Sequence, residues 1–185
     1  MKRKPYKSPY FWAIVAVVAV VATAWAGRES YQPILTGAAA PDFVASTLDG
    51  TPVRLSDYGG RVVMVSIWAT WCAPCRDEMP SMETLYKDLK NTDFEILAVS
   101  VDAKRGEMDS WGRPGGDLQA FADELGLTFP ILHDPSGKIQ QIYQTTGVPE
   151  TFLVGRDGLI YKKVAGGTDW SAPVNQELVR RLLGE

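Results

Sequence analysis

Along the chain, apolar and polar residues alternate between a strand-like and a helix-like period. Residues 61–69 (RVVMVSIWA) and 94–101 (FEILAVSV) are nearly unbroken apolar runs rich in β-branched residues. That is the pattern of strands buried on both faces. Between them, residues 73–90 place Met79, Met82, Leu85, Tyr86 and Leu89 at helical spacing. Strand, helix and strand predict a βαβ unit with a parallel pair and a right-handed crossover. Upstream, residues 43–47 and 51–55 flank Leu48-Asp49-Gly50, which predicts a hairpin. Downstream, a helix over 118–125 is stopped by Gly126, with a short strand at 129–132 and a short helix at 136–144 beyond it. Residues 151–154 and 159–164 surround a Gly-Arg-Asp-Gly turn as an antiparallel hairpin. A closing helix over 170–183 carries Val174, Leu178, Val179 and Leu182 on one stripe. Residues 104–117 are polar, glycine-rich and without period, so they predict a loop. Together these elements predict an α/β fold: a mixed central sheet flanked by helices, with an N-terminal β-hairpin extension.

The first 26 residues obey another rule. Lys2, Arg3, Lys4 and Lys7 precede an apolar run from Phe11 to about Ala26, with Arg28 the nearby cation beyond it. This asymmetry keeps the N-terminus cytoplasmic and exports the rest of the chain. The run is shorter than the roughly 20 residues of a typical spanning helix, although Tyr10, Trp12 and Trp25 can extend it at the two interfaces. Residues 1–26 are therefore read as a single-pass anchor in the inner (cytoplasmic) membrane, with the domain on its periplasmic, extracytoplasmic side. The alternative is a cleaved signal peptide, since Ala22-Thr23-Ala24 and Ala24-Trp25-Ala26 resemble small-residue cleavage sites. Residues 27–40, with Pro33, Gly37 and three consecutive alanines, read as a linker, and 41–185 as one domain.

Composition narrows the chemistry. The 185-residue chain has a formal net charge of −3 and no basic stripe beyond its leader, which argues against a nucleic-acid partner. Two cysteines and one histidine supply neither a disulfide framework nor a four-ligand metal centre. No metal or other cofactor is expected, so the chemistry falls on the cysteine pair.

Cys72 and Cys75 lie where the strand over 61–69 gives way to a helix. A helix N-terminus offers free N–H groups and the positive end of the helix dipole, both of which favour a thiolate. Cys72 is therefore the expected exposed nucleophile. Cys75, one turn on, is placed to attack a mixed disulfide at Cys72. Pro74 suits the first helical turn, where its missing N–H costs nothing. The bland alternative is a pair of core cysteines or a static disulfide, which the strand-to-helix placement disfavours.

The segment VSIWATWCAPCRDEMP (65–80) resembles the active-site strand and helix of the TlpA-like thioredoxin-fold thiol–disulfide oxidoreductases, including ResA-like and CcmG/DsbE-like members. Ala40-Pro41-Asp42-Phe43 with Leu48-Asp49-Gly50, and Gly147-Val148-Pro149-Glu150-Thr151-Phe152, match in the same order. The resemblance implies a thioredoxin-like sheet, Cys72 as attacking and Cys75 as resolving cysteine, and a cis proline at Pro149 beside the active site. A cis bond there would also free Val148 to pair with an extended substrate. Glu78 matches a family position that manages protons near the thiols, and a carboxylate one turn beyond Cys75 can relay the proton; its bland reading is a solvated helix residue. Ser66 departs from thioredoxins proper, where a buried aspartate accepts the proton. With Ala73 and Pro74, Trp71 is assigned to the substrate-docking surface, with core packing as its alternative, and Trp68 to the core. Pro80 is expected to kink its helix, His133 to sit near a surface turn, and Trp111 either to contact a partner or to fold onto the core.

The pair is expected to be reducing. Ala73 and Pro74 add no donor that would stabilise the thiolate, and two pKa units correspond to about 2.7 kcal/mol, or about 60 mV. The resemblance implies an exported reductant of disulfide-containing client proteins, fed by a membrane-embedded thiol electron donor. Apocytochrome c, during cytochrome c maturation, is one such client. Two rival readings remain. One is a peroxiredoxin-like peroxidase, which needs a threonine on the turn before its cysteine, whereas Thr70 stands two residues before Cys72. The other is a tethered binding module with a purely structural disulfide.

Overall fold

The computed structural model describes residues 9–26, 34–109 and 112–184. The first of two units contains α1 (Pro9–Ala26), an 18-residue helix. Its Tyr10, Trp12, Ile14, Val17, Val20 and Trp25 are exposed, so apolar side chains face outward on several sides. At 1.5 Å per residue it spans about 27 Å, short of the ~30 Å hydrocarbon layer. Among the described residues no helix is long and apolar enough to cross a membrane.

The second unit, Ile34–Glu185, is a mixed α/β domain built on one seven-stranded sheet. Its strands are β1 (Val44–Thr47), β2 (Pro52–Arg54), β3 (Val62–Trp68), β4 (Phe94–Ser100), β5 (Ile131–His133), β6 (Glu150–Val154) and β7 (Ile160–Ala165). Its helices are α2 (Ala73–Asp88), α3 (Leu118–Leu125), α4 (Lys138–Ile142) and α5 (Pro173–Leu183). The sheet runs in the order β2-β1-β5-β4-β3-β6-β7. β3 pairs parallel with β4, from Val62 opposite Phe94 to Trp68 opposite Ser100, and antiparallel with β6 on its other side. Every residue of β3 and β4 is buried, which is why these segments read as apolar runs rather than alternations. α2 joins them, burying Met79, Met82 and Leu85 while Pro80 faces outward and the helix continues through it. β1 and β2 pair antiparallel around Leu48-Asp49-Gly50.

Several boundaries differ for local reasons. β2 stops at Arg54, because Leu55–Tyr58 closes into a 3-10 turn in which Asp57 accepts the Arg54 N–H at 2.9 Å. The helix expected over 136–144 is only Lys138–Ile142, since Gly137 takes a left-handed conformation at φ 64°. α5 begins at Pro173 rather than at Trp170, as a proline at the first helical position favours. Trp170 is left in the preceding loop, fully buried.

The linker expected over 27–40 is packed where it is described. Gly37 N–H donates to Ile160 O at 2.7 Å, Ala40 N–H to Gly158 O at 2.9 Å, and Ile34 joins the core. This stretch pairs with residues 158–160 at the start of β7; residues 27–33 lie outside the described residues. The loop expected over 104–117 is folded back on itself, with bridges between Arg105 and Gly115 and between Met108 and Pro114. Gly115 is required there, because a Cβ would stand 2.2 Å from Ala103 O. Trp111 and its expected contact lie outside the described residues.

Candidate active site

The end of β3 and the start of α2 build the site. Cys72 N–H donates to Ala69 O at 3.2 Å, and Cys72 itself is the N-cap of α2. Cys75 N–H donates to Cys72 Sγ at 3.2 Å, so the first sulfur lies among the free N–H groups of the helix terminus, as the sequence predicts. The two cysteines are joined in a disulfide with Cα atoms 5.3 Å apart. The expected exposure of Cys72 is corrected: it is 5% accessible, against 1% for Cys75. The disulfide draws both sulfurs into the first turn of the helix, while Ala73 and Pro74 remain exposed.

The Val148–Pro149 peptide is cis, with Val148 half-buried and Pro149 buried. Two glycines link this turn to the cysteines. Gly166 N–H donates to Pro149 O at 2.8 Å, and a Cβ on Gly167 would stand 3.2 Å from Pro74 O. Immediately after the proline, buried Glu150 accepts an ion-pair bond from Lys163 Nζ at 2.8 Å and the Thr146 N–H at 3.2 Å.

Glu78 is not a solvated helix residue. It is 3% accessible, and its carboxylate accepts the indole N–H of Trp170. Burial pushes its carboxyl up from the ordinary 4.5 to about 7, opposed by the Trp170 bond. Pro74, Asp77, Glu78, Ser81, Gly167, Thr168 and Asp169 line one cleft, which joins this carboxyl to the exposed face of the cysteine turn. On the central strand Ser66 Oγ accepts the Thr151 hydroxyl at 3.2 Å, a neutral pair in a fully buried position.

Trp71 is half-buried rather than an open docking face. The Arg113 guanidinium lies 3.6 Å from its ring centroid, and Arg113 is in turn held by Asp109 at 2.7 Å. Trp68 lies in the core, 4.8 Å from the Phe121 ring. The half-buried His133 bonds through Nε2 to Asp102 O at 2.9 Å.

Sequence reasoning misses four members of this neighbourhood. The helical pattern takes in Trp170 as the first residue of a helix, and Arg113 and Gly116 fall within a stretch without period. Asp102 belongs to no motif, although it is fully buried and gathers Thr70, Ser100 and Gly116. An acidic residue just after a buried parallel strand is the available signal for it. Thr70, already at the wrong spacing for a peroxidase, gives its hydroxyl to Asp102 at 2.5 Å in a structural bond.

A disulfide capping the first turn of α2, at the C-terminal end of a central parallel strand in a thioredoxin-like sheet, defines a thiol–disulfide oxidoreductase. The chain belongs to the AhpC/TSA family, whose model matches residues 36–163. It is 39% identical to the thiol-disulfide oxidoreductase ResA of Geobacillus thermodenitrificans over 145 residues, covering 78% of this chain and 77% of that protein. To ResA of Bacillus subtilis it is 34% identical over 142 residues, covering 77% and 72%. A Chlorobium tepidum structure assigned as a thiol:disulfide interchange protein DsbE superposes with a TM-score of 0.65 at 31% identity, covering 80% of this chain and 95% of that one.

Proposed function

We propose that this protein reduces disulfides of client proteins outside the cytoplasmic membrane, apocytochrome c among them. The observation that carries the reading is the Cys72–Cys75 disulfide at the N-terminus of α2, with the buried Glu78 carboxyl one turn beyond Cys75. In the reduced pair, the Cys72 thiolate attacks a client disulfide, forming a mixed disulfide and releasing one client thiolate. Cys75 then loses its proton and attacks Cys72 Sγ, which forms the Cys72–Cys75 bond and releases the second client thiol. Two electrons have passed to the client. Glu78, one helical turn beyond Cys75, takes the proton in this reading, and burial raises its carboxyl to about 7, toward the range a relay requires. The pair must then be reduced again, which calls for a membrane-embedded thiol donor.

The exposed half-turns at Ala73 and Pro74, with Trp71, Val148 and Pro149 around them, form the docking surface in this reading. The N-terminal unit supports a membrane location: α1 presents apolar side chains outward, and such a helix is stable in water only when covered. Basic residues lie ahead of it, and that charge asymmetry supports an extracytoplasmic domain. α1 alone falls short of a full crossing, and Tyr10, Trp12 and Trp25 would anchor its ends at the interfaces.

The test is the reduction potential of the pair, measured by equilibration with glutathione buffers. A value near or below about −200 mV is expected, and one near −120 mV would make the protein an oxidant and overturn the reading. The Cys75→Ser variant should also accumulate mixed disulfides through Cys72 with exported proteins that carry an oxidised CxxCH segment.

A further inference from the structure

We infer that Trp170 is a positioning residue for the exchange reaction, fixing the Glu78 carboxyl in the cleft beside the active-site turn. The inference rests on the reading of Glu78 as proton acceptor. Trp170 holds the Glu78 turn of α2 at two points, Glu78 and Ser81. Its indole N–H donates to the Glu78 carboxylate, and its backbone N–H donates to Ser81 Oγ at 2.9 Å. Ser81 in turn donates to Glu78 O at 2.7 Å, so the two bonds close a ring around one turn of α2. The grip reaches across 92 residues and is itself held from behind. Buried Asn175 donates to Asp169 O at 2.6 Å and accepts from Lys162 Nζ, which lies 5.7 Å from the Trp170 ring centroid.

An aromatic chosen only for packing would not need this orientation. Trp170 is 0% accessible, and its one polar atom is directed at the one buried carboxylate of the cleft. A fixed donor at that place favours the carboxylate over the carboxylic acid, and so sets the pH at which Glu78 releases its proton. The other charged groups lining the cleft are Asp77 on α2 and Asp169 beside Trp170, both exposed, while Lys162 of β7 lies outside it, 5.7 Å from the Trp170 ring centroid. Burial is what raises the Glu78 carboxyl, and the indole bond is what works against it.

The test monitors oxidation of the reduced protein by an oxidised CxxC peptide across pH 5 to 9, with thiols trapped by alkylation. Trp170→Phe keeps the apolar bulk and removes the donor. Its midpoint near 7 should move upward by about one unit. Glu78→Gln should abolish that midpoint, and the double variant should behave as Glu78→Gln alone. If Trp170→Phe leaves the midpoint in place while Glu78→Gln removes it, the positioning role is overturned and the proton role of Glu78 stands. If Glu78→Gln leaves the midpoint in place, the proton role fails, and the positioning role with it. Should Trp170→Phe fold poorly, the Trp170 indole N–H resonance of the unaltered protein carries the test. It should titrate near 7 and lose that titration in Glu78→Gln; a flat resonance would overturn the inference.

Discussion

Asp102 holds Thr70 by both of that residue's donors: the backbone N–H at 2.8 Å and the hydroxyl at 2.5 Å. The same fully buried carboxylate accepts Ser100 Oγ at 2.7 Å and Gly116 N–H at 3.2 Å. It therefore ties the segment before Cys72 to the end of β4 and to the root of the 104–117 loop. Asp102→Ala leaves several donors without acceptors in a dry site. It should cost about 3 kcal/mol in urea unfolding of the oxidised protein. Asp102→Asn keeps the shape but offers one acceptor oxygen in place of two, so it should fall between Asp102→Ala and the unaltered protein.

Gly116 lies against the same threonine. A Cβ added there would stand 2.1 Å from Thr70 Oγ1, and neither group is the end of a long side chain that can swing aside. Gly116→Ala should therefore break the Thr70–Asp102 pairing and lower stability by about 2 kcal/mol. Thr70→Ser removes the methyl but keeps the hydroxyl. In that background the glycine substitution should cost less, and a double-mutant cycle on urea midpoints measures the coupling.

The buried carboxyl of Glu78 makes stability depend on pH with a definite sign. Its pKa is raised from 4.5 to about 7 in the fold, so between those values the folded protein holds a proton that the unfolded chain has released. Stability is then fully present below pH 4.5 and falls as pH rises toward 7, by up to about 3 kcal/mol from this group. Glu78→Gln removes the titrating group and should flatten that limb. Urea unfolding of the oxidised protein at pH 4.5 and pH 8, for both forms, checks the sign. A steeper fall in the variant than in the unaltered protein would contradict it.

The parts of the fold legible in the sequence are those that repeat. β3 and β4 announce themselves as nearly unbroken apolar runs of seven residues, and α2 by one helical period over its length. The cysteine pair is legible because a strand-to-helix junction dictates what two sulfurs three apart can do. The partners of Glu78 and Thr70 are not. Trp170 lies 92 residues from Glu78, and Asp102 lies 32 from Thr70. Each of these bonds depends on how the sheet brings distant loops together at one end, which no local pattern encodes. The 104–117 loop misleads for a related reason. Its glycines read as freedom, whereas Gly115 and Gly116 are close-approach positions that fasten it.

That fastened loop also holds Trp71. Arg113 lies over the Trp71 ring at 3.6 Å, and Asp109 fixes the guanidinium from its other side at 2.7 Å. Among the described residues the indole nitrogen of Trp71 is buried without a hydrogen-bond partner, so packing and the stacked cation hold the ring. A cation over an indole contributes about 1 kcal/mol when partly desolvated, and Arg113→Ala should lose about that much in urea unfolding. It should also make Trp71 more accessible, read as stronger acrylamide quenching that disappears in the Arg113→Ala/Trp71→Phe pair. Arg113→Lys separates charge from shape, because an ammonium keeps the cation but not the planar stack. If charge holds the ring, the lysine variant should quench like the unaltered protein; if the flat face holds it, the variant should resemble Arg113→Ala. The close ring-to-guanidinium distance favours the flat face. The expected order of quenching is therefore alanine above lysine, and lysine well above arginine.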